Sequence, residues 1–302
     1  MIEVYRGSVA ALEIDEMGHM NVRFYVQKAT EAMAVWFAGL GLGPHALRAL
    51  GARLEIAESH IRYHREVRAG WPLAARAAPV AVGRRIRLFV ELANGMEGWL
   101  SATIVLDVAL RDASGAELAF PDAVLAAASA RLAELPPTAA PRSVSAGPPS
   151  AAASRAEAER LGLAFIRVGA VHPSTCDLDG RLYTEQFVGL ISDGIANFVR
   201  RFRPPASPQG GPPIGGAVLE YRMAYAARPR AGDVVAVCSG LKAHLDKVFV
   251  LVHWIVDMET GEALATAEAA AASFDLAARK LVPISAETRA RMDGLIVPGL
   301  TM

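Results

Sequence analysis

One spacing governs what this chain can fold into. Asp15 stands three residues before Gly18, and Asp177 stands three residues before Gly180; 177 − 15 and 180 − 18 both give 162. Each pair opens a stretch with apolar residues at helical spacing. In the first, Tyr25, Ala29, Met33, Trp36, Phe37 and Leu40 recur in steps that keep them on one helix face. Adding 162 lands on Phe187, Ile191, Ile195, Phe198, Val199 and Phe202. Arg68-Ala69-Gly70 returns as Arg230-Ala231-Gly232 at the same offset. Ala102-Thr103 returns as Ala265-Thr266 at 163, so a small loop insertion lies between. The match predicts two copies of one fold unit, each with a polar corner at the start of its central helix.

The elements within a copy follow from pattern and punctuation. Val4 to Ile14 reads as a strand, and the helix-like run reaches about Leu40, where Gly39, Gly41 and Gly43 end it. Strands are expected at Ile56–Val67, Pro72–Val82, Ile86–Leu92 and Trp99–Leu110, the last covered on both faces. Turn signals at Gly70, Gly83, Asn94-Gly95 and Gly98 separate them. In the second copy, Phe165–Val171 reads as a strand and Thr184–Phe202 as a helix, and Ser285–Leu295 as a short terminal helix. Between the copies, Leu135-Pro136-Pro137 to Gly147-Pro148-Pro149 is rich in Pro, Ala and Ser. It reads as a surface linker with no packed core of its own, with a short helix at Ala151–Leu161. The domains are therefore 1–135, a linker 136–162, and 163–302. Each is an α+β unit: a strand-rich sheet wrapped round one long apolar helix, which lets both elements bury their apolar faces.

Composition narrows the class. The 302 residues carry 31 basic and 31 acidic side chains, a formal net charge of zero. A general nucleic-acid binder would usually carry a basic excess, so no nucleic-acid partner is expected. No apolar run reaches the roughly 20 residues a membrane span needs, and the N-terminus carries acids where a secretory signal needs an apolar core. No membrane association and a cytoplasmic location are the expectation. Cys176 and Cys238 lie in no CxxC or Cys/His cluster, so no metal site is expected. No Walker loop and no GxGxxG before a helix is present, which leaves nucleotide hydrolysis and dinucleotide binding without support.

The order of elements, with Asp15-x-x-Gly18-His19-x-Asn21 opening the helix and Phe24 and Tyr25 following on it, resembles the hot-dog-fold acyl-CoA thioesterases of the 4-hydroxybenzoyl-CoA thioesterase type. Glu58-Ser59-His60-Ile61-Arg62-Tyr63 with Arg68-Ala69-Gly70 is similar to that family's second strand and turn. Lys247 to Trp254 and Thr260 to Thr266 are similar to its last two strands. The resemblance implies a tandem (double) hot-dog fold and hydrolysis of a small or medium acyl-CoA. The thioesterase portion of carnitine-catabolic enzymes, which cleaves betainyl-CoA, is also similar. Met17 stands where acyl-ACP thioesterases carry Asn, and Asp15 is four residues before His19 where hot-dog hydratases have five. Both departures favour a thioesterase acting on a CoA ester. Coenzyme A would enter as part of the substrate, with no separate cofactor. The active site would lie where the helix start of one unit meets the other unit, and the pseudo-dimers could pair into a homo-oligomer.

Thioester hydrolysis needs an attacking oxygen and a donor for the developing oxyanion. A carboxylate can attack directly or deprotonate water, and a glycine N–H at a helix start can face the oxyanion. Asp15 and Gly18 supply that pair, while Asp15 as a helix N-cap is the rival reading. His19 either orients substrate, transfers a proton or sits at a domain contact. Asn21 either binds the acid or thioester or caps the helix. Asp177 and Gly180 are the second copy's candidates, although Arg181 and Tyr183 replace His19 and Asn21 there. Cys176 reads as a structural thiol. Glu31 and Asp193 read as solvated helix acids. Glu58, whose counterpart is Glu220, is a further candidate acid on the strand expected to line the cleft. Arg84, Arg85 and Arg181 are candidate holders of coenzyme A phosphates, and Arg200-Arg201-x-Arg203 is a similar cluster. The alternatives to hydrolysis are an acyl-CoA-binding module without turnover and an enoyl-thioester hydratase or dehydratase.

Overall fold

The computed structural model describes residues 1–203, 214–275 and 277–302. The chain divides into two compact units, Met1–Ala140 and Pro141–Met302. No helix among the described residues is long and apolar enough to cross a membrane.

The first unit begins with β1 (Ile2–Ser8), which stops short of the predicted Ile14. A 3-10 turn at Ala11–Glu13 replaces the rest of that strand. Glu13 holds the turn, because its buried carboxylate accepts from Lys28 Nζ at 2.7 Å and from the Ala10 N–H at 3.0 Å. The long helix α1 (Val22–Ala38) follows, then a short α2 (Pro44–Ala49). The sheet is built from β2 (Ala52–Tyr63), β3 (Pro72–Val82), β4 (Ile86–Asn94) and β5 (Leu100–Asp112), with a two-residue β6 (Glu117–Leu118) on β5. A last helix, α3 (Asp122–Ser129), packs on β3. The antiparallel order is β1-β3-β4-β5-β2. α1 turns Tyr25, Val26, Ala29, Met33, Trp36 and Phe37 inward, and all are buried. Its neighbours β3 and β4 contribute buried Leu73, Ala75, Leu88, Val90 and Leu92. Burying each of the large side chains contributes about 1.5–3 kcal/mol, which fixes the helix on the sheet and so fixes the loop that enters it.

The second unit runs through α4 (Arg155–Arg160), β7 (Ala164–Ala170), α5 (Thr184–Gly194), α6 (Ala196–Val199), β8 (Ile214–Tyr225), β9 (Val234–His244), β10 (Val248–Asp257), β11 (Ala263–Asp275), β12 (Lys280–Val282) and α7 (Ala286–Asp293). Its order, β7-β9-β10-β11-β8, repeats that of the first unit element for element.

Two expectations are corrected. The single helix expected from Thr184 to Phe202 is broken at Ile195 into α5 and α6. Gly194 sits so close to β7 that a Cβ there would meet the Ile166 carbonyl oxygen at 2.9 Å. Asn197 Nδ2 donates to that same carbonyl at 2.8 Å. The first unit has Ala32 at the equivalent position (194 − 162 = 32), and its helix is continuous. Close approach at a glycine is an identifiable cause of the break.

The Pro-rich linker is also packed. Ala139 is buried with Phe89 and Val105, which covers the second face of β4 and β5. Arg62 Nη1 donates to the carbonyls of Pro137 at 3.0 Å and Ala140 at 3.2 Å. In the second unit, buried Glu220 accepts the N–H groups of Arg142 at 2.8 Å and Ser143 at 2.6 Å. Arg222 Nη1 donates to the carbonyls of Ser145 at 2.7 Å and Gly147 at 2.6 Å. Glu268 takes Lys242 Nζ at 2.9 Å and the Ser145 hydroxyl. A segment with no ladder of its own has its backbone groups satisfied by sheet side chains instead.

Replacing Gly194 by Val should force α5 away from β7 and cost about 1–3 kcal/mol, the usual range for overpacking. Urea unfolding of the full chain measures it; an unchanged midpoint would contradict the close-approach explanation.

Candidate active site

The loop before α1 is built from backbone hydrogen bonds. Ile14 and Met20 form an isolated antiparallel bridge. Within it the Asp15 N–H donates to the His19 carbonyl at 3.0 Å, and the Met20 N–H ties the loop to the Val67 carbonyl at 2.9 Å. Gly18 closes the turn at φ +80°, a conformation a side chain would strain. The loop bends back on itself and leaves the Asp15 carboxylate facing its own backbone. Oδ1 accepts the Met17 N–H at 2.9 Å, and Oδ2 lies 3.3 Å from His19 Nδ1. The side chains are largely covered, 13% exposed for Asp15 and 21% for His19.

This environment pushes the Asp15 carboxyl above its ordinary value. Burial is the largest cause, because it disfavours the charged form. The His19 charge and the Met17 N–H oppose it, and Glu16 next door adds to it. A carboxylate raised in pKa yet still reachable is a better base than a solvated one.

Asp15 is not the helix N-cap; Asn21 is, with its Oδ1 accepting the Arg23 N–H at 3.1 Å. The amide oxygen of Asn21 is thus committed to the helix. Gly18 needs correction too. Its N–H donates to the Asp15 carbonyl at 3.0 Å, so the donor assigned to the oxyanion is already used inside the turn. Gly180 does the same with the Asp177 carbonyl at 2.9 Å.

The second corner repeats the frame with different chemistry. Cys176 and Leu182 bridge as Ile14 and Met20 do, Asp177 N–H meets the Arg181 carbonyl, and Leu182 N–H meets the Pro229 carbonyl. Every partner is displaced by 162. Here, though, Arg228 Nη2 holds Asp177 Oδ2 at 2.8 Å and donates to the Leu182 carbonyl at 2.6 Å. Asp177 is therefore an ion-paired acid and not a free base. The equivalent of Arg228 is Glu66 (228 − 162 = 66), an acid that pairs with Arg68 at 3.3 Å. Sequence reasoning passed over this position, although comparing the two copies residue by residue exposes the reversal of charge.

The remaining candidates scatter. Glu58 is half-buried on β2, beside the bulge between Ile56 and Glu58; the charges acting on Asp15 come from His19 and Glu16. Arg85 is engaged by Glu117 at 2.9 Å and Asp107 at 2.9 Å, and Arg84 by Glu117 at 3.1 Å. Both belong to an ion-pair network on the sheet, so their charge is already shared with carboxylates. The Arg181 N–H donates to Asp177 Oδ1 at 2.9 Å, and its backbone bridges to Arg230. Arg203 reaches the Gly215 carbonyl and Arg201 lies over Phe198. Glu31 is exposed and accepts from Gln27. Cys176 Sγ points to the His172 carbonyl, and burial pushes the Cys238 thiol up to about 12. A surface cavity of about 670 Å³ between Ser154 and Glu259 holds none of these residues.

A model of the family described as the thioesterase-like superfamily matches residues 9–137 and again 171–292. Among solved structures, the chain is similar to the 12:0-ACP thioesterase from Umbellularia californica, with a TM-score of 0.67 at 10% identity over 89% of this chain and 93% of that one. It is also similar to an acyl-ACP thioesterase from Bacteroides thetaiotaomicron, with a TM-score of 0.64 at 11% identity over 88% and 96%. At such identities the likeness shows the fold, a thioesterase hot-dog, and nothing finer. No curated protein matches the chain in sequence.

The raised Asp15 carboxyl has a consequence for stability. The folded state holds its proton more tightly than the unfolded chain, so stability falls as pH rises from the ordinary 3.8 through the folded value. Asp15→Asn should therefore be more stable than the parent at neutral pH, with the difference vanishing below the ordinary value. Thermal melts at pH 3 and pH 7 test this; a variant less stable at pH 7 would contradict it.

Proposed function

Because the chain belongs to the thioesterase-like superfamily, we propose that it hydrolyses an acyl thioester, and that the corner of the first unit does the chemistry. The observation that carries this reading is the contrast between two like loops. One holds a carboxylate that burial has raised toward basicity, with an imidazole 3.3 Å away. The other holds a carboxylate neutralised by a guanidinium at 2.8 Å.

In this account Asp15 acts as general base. It takes a proton from water as the water oxygen attacks the thioester carbonyl carbon; the carbon–sulfur bond then breaks and the departing sulfur takes that proton back from Asp15, which releases a thiol and a free acid. His19 positions the carboxylate. The substrate is a small or medium acyl-CoA, whose coenzyme A portion leaves as product. The finer reading of the fold is one unit duplicated, in which the first copy keeps a working corner and the second keeps its frame. Arg228 is then the change that retired the second.

A chromogenic thiol reagent with a panel of acyl-CoA esters tests the assignment. Asp15→Asn should lower kcat by about 10²–10⁴-fold, the range of general-base catalysis. Asp177→Asn should leave turnover near that of the parent. Loss of activity in the Asp177 variant with retention in the Asp15 variant would reverse the roles.

A further inference from the structure

The two corners differ at one more place, and it lies beside the active one. Arg65 places its guanidinium 4.2 Å from the centre of the Trp99 ring. Trp71 meets Trp99 edge-on, with ring centres 5.6 Å apart. Arg65 is exposed and both indoles are half-exposed, while Trp36 and Trp254 are buried. The indole nitrogen of Trp99 is fixed by Glu97 at 2.7 Å. The Arg65 guanidinium has no ion-pair or hydrogen-bond partner among the described residues, unlike Arg84 and Arg85.

The cluster is attached to the Asp15 loop by short links. The Val67 carbonyl, two residues from Arg65, accepts the Met20 N–H that closes the loop. The Trp71 carbonyl accepts the Val9 N–H at 3.0 Å. The Ser101 hydroxyl donates to the Arg65 carbonyl at 2.8 Å and lies 3.5 Å from the Tyr25 hydroxyl on α1.

The second unit has the same backbone without the cluster. The N–H groups of His64 and Arg65 donate to the Ser101 carbonyl, and those of Ala226 and Ala227 donate to the Leu264 carbonyl. The Val9-to-Trp71 bond returns as Val171 to Asp233, and the Asn94-to-Trp99 bond as Asp257 to Glu262. Arg65, Trp71 and Trp99 are thus replaced by Ala227, Asp233 and Glu262 in an unchanged frame. Folding does not require an arginine and two tryptophans at these positions, since the second copy adopts the same bonds with an alanine and two acids.

We infer that Arg65, Trp71 and Trp99 form the subsite for the nucleotide end of the substrate. A guanidinium 4.2 Å over an indole face is held by the ring through attraction to its π-system, which leaves its N–H donors for a phosphate. The indoles offer flat surface to a purine. The ligand class is an adenine nucleotide bearing a phosphate, which a coenzyme A thioester carries and a protein-bound pantetheine does not. The inference rests on the thioesterase reading above for its biological sense, and on the cluster alone for its binding.

Adenosine 3′,5′-bisphosphate titrated into the full chain should quench tryptophan fluorescence saturably. Arg65→Met and Trp99→Leu should each weaken that binding about tenfold or more, the scale of one charge-assisted contact. Kinetics supply the second arm, with octanoyl-CoA compared against octanoyl-N-acetylcysteamine, which lacks the nucleotide. In both variants the ratio of kcat/KM for the first ester over the second should fall about tenfold. Far-UV circular dichroism confirms that the variants fold; Trp99→Phe, which keeps an aromatic face, should retain more binding than Trp99→Leu. Undiminished nucleotide binding in folded variants, or an unchanged ester ratio, overturns the subsite. Nucleotide binding that depends on Arg65 with no hydrolysis of either ester leaves the subsite standing and sinks the thioesterase reading. Hydrolysis without nucleotide binding does the reverse.

Discussion

Everything chemical in this protein depends on how the backbone enters the central helix of each unit. The Met20 N–H to Val67 carbonyl bond, at 2.9 Å, anchors the loop to the turn after β2, and the Leu182 to Pro229 bond does so in the second unit. Between the two sides of each bridge the chain has few residues in which to reverse, and a glycine at positive φ makes that possible. The consequence is that one carboxylate per unit is turned back against its own loop. Backbone geometry decides where the acid goes; the neighbouring side chains decide what it can do.

Those neighbours part company. In the first unit the acid meets an imidazole and a residue of like charge, and burial raises it. In the second it meets Arg228, and the same frame becomes a structural ion pair. Two loops of like backbone geometry thus surround their acids differently, with the charge reversed between positions 66 and 228 and His19 replaced by Arg181. The arginine and indoles near the first corner extend the same contrast outward from the acid.

Much of this was legible in the residues. The apolar stripes and turn glycines survive at a fixed offset, so the repeated unit, its strands and the position of each acid could be read directly. Helix packing tolerates little drift in such positions, which is why the register persists. What escaped the reading depends on contacts distant in sequence or on exact backbone angles. The Gly18 N–H lies within a turn that folds onto the Asp15 carbonyl, and composition does not reveal it. Arg85 finds Asp107 and Glu117 far along the chain, so its pairing was invisible. The Pro-rich stretch looked solvated, yet Ala139 and Val144 are buried and sheet side chains satisfy its backbone. The helix break at Ile195 follows from a close approach of Gly194 to β7 that only the packed structure displays.

The pH dependence of kcat/KM for an acyl-CoA ester tests the central claim most directly. A desolvated Asp15 acting as base predicts a rate that rises with pH through one ionisation lying above the ordinary carboxylate value of 3.8, then levels off. A rate independent of pH across that range, or a limb centred on the ordinary value, would contradict a burial-raised base at this corner.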